Sequence, residues 1–375
     1  MKREKVSNLI QVILFLAFIG GFLIINLITP DRTFSETENR MLEQAPRFSF
    51  DSLFSGKFTA TFENYITDQF TWRDKWIELK SFTEQALQKK ENNGVYLGEG
   101  GTLLTRFEKP DEKRLGTNIG AVSKFAGELD IPVYFSLIPT SAEIWSDRLP
   151  KNAPSYDQHE LIKSLYVRSG ARNVDTYSFL YNHKDEYIFF RTDHHWTPLG
   201  AYYGYRALAE AMGFEPRPLE SFSPSTVSEE FYGTTYSSSG YRNIKPDTIT
   251  TFVDNYEGLT ITNYTNGTAE EGVLYDYSRL ETKDKYSMFF GGNTPLLQIQ
   301  TGHEGPKLLI LRDSYADALM PFLFEHFSEI HAIDLRYNKS SVKDYISEHG
   351  IDEVLISYGI SNFVSDANVF LLGRQ

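Results

Sequence analysis

The sequence predicts an α/β protein built on a parallel sheet flanked by helices, with a β-rich insertion and an N-terminal transmembrane helix. Three observations carry this. Toward the C-terminus, stretches 307–311, 315–327, 329–334, 341–349 and 353–357 alternate strand, helix, strand, helix, strand. The three strands are almost continuously apolar, as strands buried on both faces are. Residues 9–28 form an apolar run whose strongly polar members are Gln11 and Asn26, and about 20 apolar residues match the hydrocarbon thickness of a bilayer.

Lys2, Arg3 and Lys5 precede that run. Positive charge stays on the cytoplasmic side, so everything after Pro30 is expected outside the cell. A cleavable signal peptide is the competing reading, but its apolar region spans about 7–15 residues and ends in small residues. Here the run closes Leu27-Ile-Thr-Pro30, which favours an uncleaved anchor. The expected organisation is a cytoplasmic flank and anchor over 1–30, a stalk with N-terminal helices over 31–90, and a main domain over 91–375 with the insertion at about 214–288.

The stalk shows helical spacing at Phe58, Phe62, Tyr65, Ile66, Phe70 and Trp76. Apolar stretches around a glycine turn at 94–104 predict a hairpin. A helix follows at 111–129, a buried strand at 131–138, a helix at 158–167 and a strand near 173–175. Residues 187–190 read as a strand leading into Arg191-Thr-Asp-His-His-Trp-Thr-Pro198. Thr197 as N-cap and Pro198 in the first helical position then open a helix to Met212. Between 214 and 288, short alternating runs broken by Ser, Thr, Gly and Asn predict a mostly β insertion or a loop-rich lobe.

With 375 residues, 41% hydrophobic and 23% charged, the chain can bury one large core or two modest ones. It has no cysteine, so neither a disulfide framework nor a thiolate metal site exists. A net charge of −13, with no basic tract beyond the anchor flank, leaves nothing to neutralise a phosphate backbone, and no nucleic-acid partner is expected. The 23 Tyr and 28 Phe could supply sugar-stacking platforms, against the plainer reading that they fill the core.

The strongest chemical signal is Ile310-Leu-Arg-Asp-Ser-Tyr-Ala316, which puts Ser314 just past the carboxyl end of a buried strand and at the start of a helix. Open α/β sheets bind ligands at that edge. The Ser314 and Tyr315 N–H groups could there face an oxyanion. Ser314 could equally be an N-cap. A serine hydroxyl needs a base, and Asp193-His194-His195 supplies an imidazole with a carboxylate two positions away. In an extended segment Asp193 and His195 project to one side and His194 points away. Those three residues could instead be solvated or hold a metal. His159, His183, His303, His326, His331 and His349 stand singly, so nothing completes a metal site and none is expected. Phe289-Phe-Gly-Gly-Asn-Thr-Pro295 could add Gly292 N–H or the Asn293 amide as oxyanion donors, or be an ordinary glycine turn.

At these residues the chain resembles the DHHW family of bacterial surface proteins and, more distantly, the alginate O-acetyltransferases with an SGNH-hydrolase-like domain. The resemblance spans nearly all of the extracytoplasmic chain, through Thr37-Glu-Asn-Arg40 with Pro46, Tyr65-Ile-Thr-Asp-Gln-Phe-Thr-Trp-Arg73, Thr192-Asp-His-His-Trp-Thr-Pro198, Gly291-Gly-Asn293 and Asp313-Ser-Tyr315. In the acetyltransferases an Asp-x-His-Trp element supplies acid and base, falling here on Asp193, His195 and Trp196, with the nucleophile on Ser314. It precedes the serine, a motif order permuted from that of ordinary SGNH hydrolases. Two departures stand out: Arg312 replaces the usual glycine before Asp-Ser, and the x of Asp-x-His is a second histidine.

The resemblance therefore implies O-acetylation of a cell-surface or secreted polysaccharide through an acyl-Ser314 intermediate, without a cofactor. His194, Trp196 and Arg312 would be substrate-contacting or supporting residues. The acetyl group would come from a membrane-bound O-acyltransferase partner. A carbohydrate esterase with the same triad, and a non-catalytic glycan-binding or assembly protein, are the alternatives.

Overall fold

The computed structural model of the chain describes residues 2–35, 40–253, 258–265 and 267–374; residues 37–39 of the first resemblance motif lie outside them. The chain divides into one unit of Met1–Lys89 with Gly240–Arg242 and a second of Lys90–Ser239 with Asn243–Gln375.

In the first unit, helix α1 (Lys2–Ile28) contains, over Val6–Ile28, the one described helix long and apolar enough to cross a membrane, with a mean hydropathy of 2.5. Helices α2 (Lys57–Asp68) and α3 (Arg73–Ala86) follow. Buried Asp68, at the end of α2, accepts hydrogen bonds from Arg40 Nη1 at 2.8 Å and from the Glu43 N–H at 2.8 Å. The Arg40 hydrogen bonds hold its carboxyl down at about 2. Two stretches singled out in the sequence therefore meet through one ion pair.

The second unit is built around an eight-stranded sheet. Its strands are β1 (Val133–Ile138), β2 (Arg172–Val174), β3 (Thr260–Thr265), β4 (Thr268–Glu271), β5 (Leu296–Gln300), β6 (Lys307–Arg312), β7 (Glu329–Ile333) and β8 (Glu353–Gly359), in the spatial order β4-β3-β5-β7-β6-β8-β1-β2. From β7 to β2 all pairings are parallel. The period of two splits β6 between two cores. Leu308 and Ile310 face one cluster, with Ala201, Tyr205 and Leu208 of helix α6. Leu309 and Leu311 face the other, with α4 and α5 on that side. Here α4 is Glu112–Gly127, α5 Gln158–Ser169 and α6 Pro198–Met212.

The α/β fold with a central parallel-rich sheet matches the expectation, and so do the N-cap at Thr197 and Pro198 opening α6. The β-rich insertion is present as well: β3 and β4 extend the main sheet as antiparallel strands through β5, and Ser225–Phe231 with Asp247–Thr251 forms its own pair. Two local expectations need correction. Residues 187–190 form no strand, only an isolated bridge between Phe189 and Trp196. The helix expected at 315–327 stops at Leu319 and tightens into a 3₁₀ turn over Met320–Leu323, where Pro321 has no N–H to continue the α pattern.

Helix α6 sits close against the loop before it. A Cβ on Gly200 would lie 2.2 Å from the Ile188 carbonyl oxygen and 2.9 Å from Trp196 Cβ. Gly200→Ala is therefore expected to lower unfolding free energy by about 1–3 kcal/mol through overpacking. Urea denaturation measures this, and an unchanged midpoint would refute so close a docking.

Candidate active site

The Asp-His-His-Trp segment lies in irregular chain held by two buried carboxylates. Asp247, fully buried, accepts hydrogen bonds on Oδ1 from Tyr187 Oη (2.6 Å), Arg191 N (3.0 Å) and Arg191 Nε (3.1 Å). Its Oδ2 accepts from Thr192 N (2.7 Å) and Thr192 Oγ1 (2.6 Å). The Asp247 side chain thus holds residues 191 and 192, while in the stretch expected as a strand the Phe190 N–H donates to the His195 carbonyl at 3.3 Å and the Ile188 carbonyl accepts the Thr197 N–H at 2.9 Å.

Asp193 is the second carboxylate. Its Oδ1 accepts the His195 backbone N–H at 2.9 Å and His195 Nδ1 at 2.6 Å, and its Oδ2 accepts Thr234 N at 2.7 Å and Thr234 Oγ1 at 2.9 Å. The apposition of Asp193 and His195 is a tight turn closed by the carboxylate on the next-but-one amide, not extended alternation. Thr234 opens helix α7 (Thr234–Ser239). A Cβ on the preceding Gly233 would lie 2.2 Å from Asp193 Oδ2, so only glycine lets the chain pass. Burial alone would raise the Asp193 pKa, but the imidazoles of His194 and His195 and the donated hydrogen bonds outweigh it and hold the carboxyl well below its usual range.

Ser314 lies where β6 passes into the short helix α8 (Tyr315–Leu319). Its Oγ is 2.7 Å from His195 Nε2, completing an unbroken chain of hydrogen bonds from Asp193. Trp196 Nε1 donates to the Tyr315 carbonyl at 3.0 Å, and Tyr315 Oη donates to the His194 carbonyl. These bonds join two segments more than a hundred positions apart. The Tyr286 ring stacks on the His195 ring, 3.8 Å between centroids and 6° between planes, while its Oη donates to the Ser314 carbonyl at 3.2 Å. Burial pushes the Tyr286 and Tyr315 phenols well up, so both remain donors.

Two expected oxyanion donors are corrected. The Tyr315 N–H donates to Asp313 Oδ1 at 3.0 Å, and the Gly292 N–H donates to the Phe289 carbonyl at 3.1 Å. Both amides are occupied within the chain. The Ser314 N–H has no hydrogen-bond partner among the described residues. Asn293 is exposed, and its Oδ1 accepts from Arg336 Nη2 at 3.4 Å, which leaves its amide N–H groups free to donate. Asp313 also accepts Gly359 N at 2.8 Å and Asn362 Nδ2 at 2.7 Å, so the turn carrying Ser314 is bound to the end of β8.

Arg312 is fully buried and touches no solvent. Its Nη1 donates to Asp317 Oδ1 at 2.6 Å, beneath the turn. Burial pushes the Asp317 carboxyl up to about 7 against the pull of Arg312. Arg312 is thus a support and not a substrate contact. Trp196, 1% exposed, likewise supports: a Cβ on Gly204 would lie 2.7 Å from its ring.

His194 does not point away. Its ring lies 3.8 Å from that of His195, its Nδ1 is 2.6 Å from Thr234 Oγ1, and its side chain is 40% exposed. Desolvation and the neighbouring imidazole hold it below its ordinary pKa. The three motif residues lie close enough to cluster on an ion. However, both oxygens of Asp193, both ring nitrogens of His195 and Nδ1 of His194 already have hydrogen-bond partners. That donor set fits a proton relay better than a coordination sphere. Sequence reasoning missed Thr234, Tyr286, Asp247 and Arg336. Only Gly233 before a Thr-Thr helix start gave a local signal.

A family profile described as DHHW protein matches residues 118–333, which include this segment. The chain is 25% identical over 189 residues to the probable alginate O-acetylase AlgJ of Pseudomonas aeruginosa, covering 47% of each chain. It is 24% identical over 172 residues to the protein of that name from Pseudomonas putida, covering 43% of this chain and 45% of that one. The chain thus spans just under half the length of the curated relatives it matches. Among solved structures, it resembles a DHHW family protein from Eubacterium siraeum with a TM-score of 0.65 and 27% identity, over 76% of this chain and 96% of that one. Bacillus cereus PatB1 shares the fold with a TM-score of 0.61 and 20% identity, over 74% of this chain and 98% of that one. With the profile covering more than half of its length, around the very Asp193-His-His-Trp196 element that meets Ser314, the chain belongs to the DHHW family.

Proposed function

We propose that this protein is a membrane-anchored, extracytoplasmic O-acyltransferase that acetylates a cell-surface or secreted polysaccharide, with Ser314 as nucleophile, His195 as base and Asp193 as its partner. The observation that carries this reading is the continuous relay, 2.7 Å from Ser314 Oγ to His195 Nε2 and 2.6 Å from His195 Nδ1 to Asp193 Oδ1. The relatives named as probable alginate O-acetylases support acetyl transfer to a polysaccharide.

In this mechanism Ser314 Oγ attacks the acyl carbonyl carbon as its proton passes to His195 Nε2, and ionised Asp193 stabilises the imidazolium. The Ser314 N–H and the Asn293 side-chain amide stabilise the tetrahedral oxyanion. His195 then protonates the leaving donor. In the second half, a sugar hydroxyl gives its proton to His195 and attacks the acyl carbon, and the C–Oγ bond breaks as Ser314 recovers a proton. The apolar stretch Val6–Ile28 would hold the domain at the outer membrane face, beside a membrane-bound O-acyltransferase partner that delivers acetyl groups.

Full-length protein in detergent, given p-nitrophenyl acetate and an oligosaccharide, tests this by mass spectrometry of the sugar. Ser314→Ala is expected to lose about three to six orders of magnitude in transfer, since triad members act as a unit. Retention of full transfer by that variant sinks the proposal, and acetate release with no acetylated sugar points to hydrolysis. Tyr286→Leu removes both the ring against His195 and the bond to Ser314. It should lower kcat by about 10²-fold with little change in donor KM; equal effects on both parameters would argue against a positioning role.

The depressed Asp193 pKa has a signed consequence. A carboxyl held below its unfolded value stabilises the fold above that value, about pH 4, and the contribution is lost as pH falls toward the folded value. The stability gap between wild type and Asp193→Asn should therefore be constant above about pH 5 and narrow below about pH 4. A gap independent of pH across that window would mean Asp193 is not ionised in the fold.

A further inference from the structure

We propose that His194 is the acceptor-binding residue of this site, its Nε2 accepting a hydrogen bond from a hydroxyl adjacent to the one acylated, so that the preferred acceptor is a vicinal diol of a sugar ring. The inference rests on the acyl-Ser314 reading above and extends it to the second half of the reaction.

The Asp193 carboxylate feeds two arms. Oδ1 holds His195 at 2.6 Å, and Oδ2 accepts Thr234 Oγ1 at 2.9 Å. An ionised carboxylate only accepts, so the single hydroxyl proton of Thr234 faces Asp193 and its lone pair faces His194 Nδ1, 2.6 Å away. His194 Nδ1 must then carry the ring proton, and Nε2 is left as a bare lone pair. That nitrogen has no partner among the described residues, on a side chain that is 40% exposed.

A buried donor array thus fixes the tautomer of a ring whose far nitrogen is open to solvent, beside the imidazole that serves Ser314. Such a nitrogen asks for an O–H donor, which sugar hydroxyls supply. The ring centroids of His194 and His195 lie 3.8 Å apart and both rings turn Nδ1 toward Asp193 Oδ1, at 3.6 Å and 2.6 Å, so both Nε2 atoms lie on the side of their rings away from that carboxylate. Neighbouring hydroxyls of one sugar ring match that pairing, one giving its proton to His195 as it attacks the acyl carbon, the other bonding to His194 without proton transfer.

The test uses full-length protein in detergent, p-nitrophenyl acetate as donor, and equal ethylene glycol and ethanol as competing acceptors, with acyl-Ser314 followed by mass spectrometry. Wild type should favour the glycol by about three- to ten-fold beyond the statistical factor of two, the effect of one added hydrogen bond. His194→Phe and Thr234→Val should fall to the statistical ratio. Thr234→Ser and His194→Gln, which keep a hydroxyl and an acceptor atom in place, should retain a preference. No preference in wild type, or an unchanged one in His194→Phe, overturns the role of His194 alone. Absence of acyl-Ser314 in wild type overturns the transferase reading and this one with it. Should His194→Phe form no acyl-enzyme, the wild-type ratio and the Thr234 pair decide.

Discussion

The site depends on burying one negative charge. Taking a carboxylate out of water costs several kcal/mol unless its lone pairs are met and a compensating charge is near. Asp193, 2% exposed, meets this condition with donors from His195 and Thr234 on its two oxygens. Each donor fixes something else: the first pair closes the turn that brings His195 round, and the second requires a helix start at Thr234 and no side chain at Gly233. Asp247 does the same for the residues just upstream. The loop lacks regular secondary structure, yet its geometry is determined at both ends by buried ionic hydrogen bonds, which are directional and costly to break.

Much of this was legible in the sequence because the chemistry is local there. Asp193 and His195 are two residues apart, and Ser314 follows a run, Leu308 to Leu311, too apolar to be anything but a buried strand. What escaped notice depends on contacts between distant residues. Thr234 lies 41 positions from the carboxylate it caps, and Asp247 lies 55 from Thr192. A threonine, an aspartate or a tyrosine in a polar stretch carries no local mark of such a role. The expectation of a strand at 187–190 failed in a related way: four apolar or aromatic residues have strand propensity, but their backbone folds back on residues 195–197 instead of joining the sheet. The β-rich insertion was legible, but not that two of its strands join the main sheet, because that is set by which sheet edge is open. The antiparallel β5 lies against β7, and β3 joins it there.

The turn between β6 and α8 shows how the scaffold selects among backbone donors. Asp313 takes the Tyr315 N–H for itself and binds Gly359 and Asn362 with its other oxygen, so the turn is fastened to β8. The Ser314 N–H is left without a partner among the described residues where Ser314 Oγ meets His195. Below, Arg312 takes the place where the resemblance leads one to expect glycine. Its guanidinium is fully buried and bonded to Asp317. The substitution therefore adds a buried ion pair that would be expensive to break from either side.

The resting charge arrangement also bears on the barrier. Before reaction Asp193 is ionised beside an imidazole, and its burial is offset only by hydrogen bonds and by partial charge on the ring. In the proposed mechanism the Ser314 proton moves to His195, and a full positive charge then appears 2.6 Å from the carboxylate, measured from Nδ1 to Oδ1. The burial penalty borne in the ground state is then compensated in the transition state. An interaction stronger in the transition state than before it lowers the barrier, whereas one equally strong in both does not. The Tyr286 ring, parallel to the imidazole within 6°, keeps that ring from turning its Nε2 away from Ser314 as the charge develops. Because the same carboxylate also orders Thr234 and His194, the proposed proton transfer and the proposed acceptor contact rest on one buried charge.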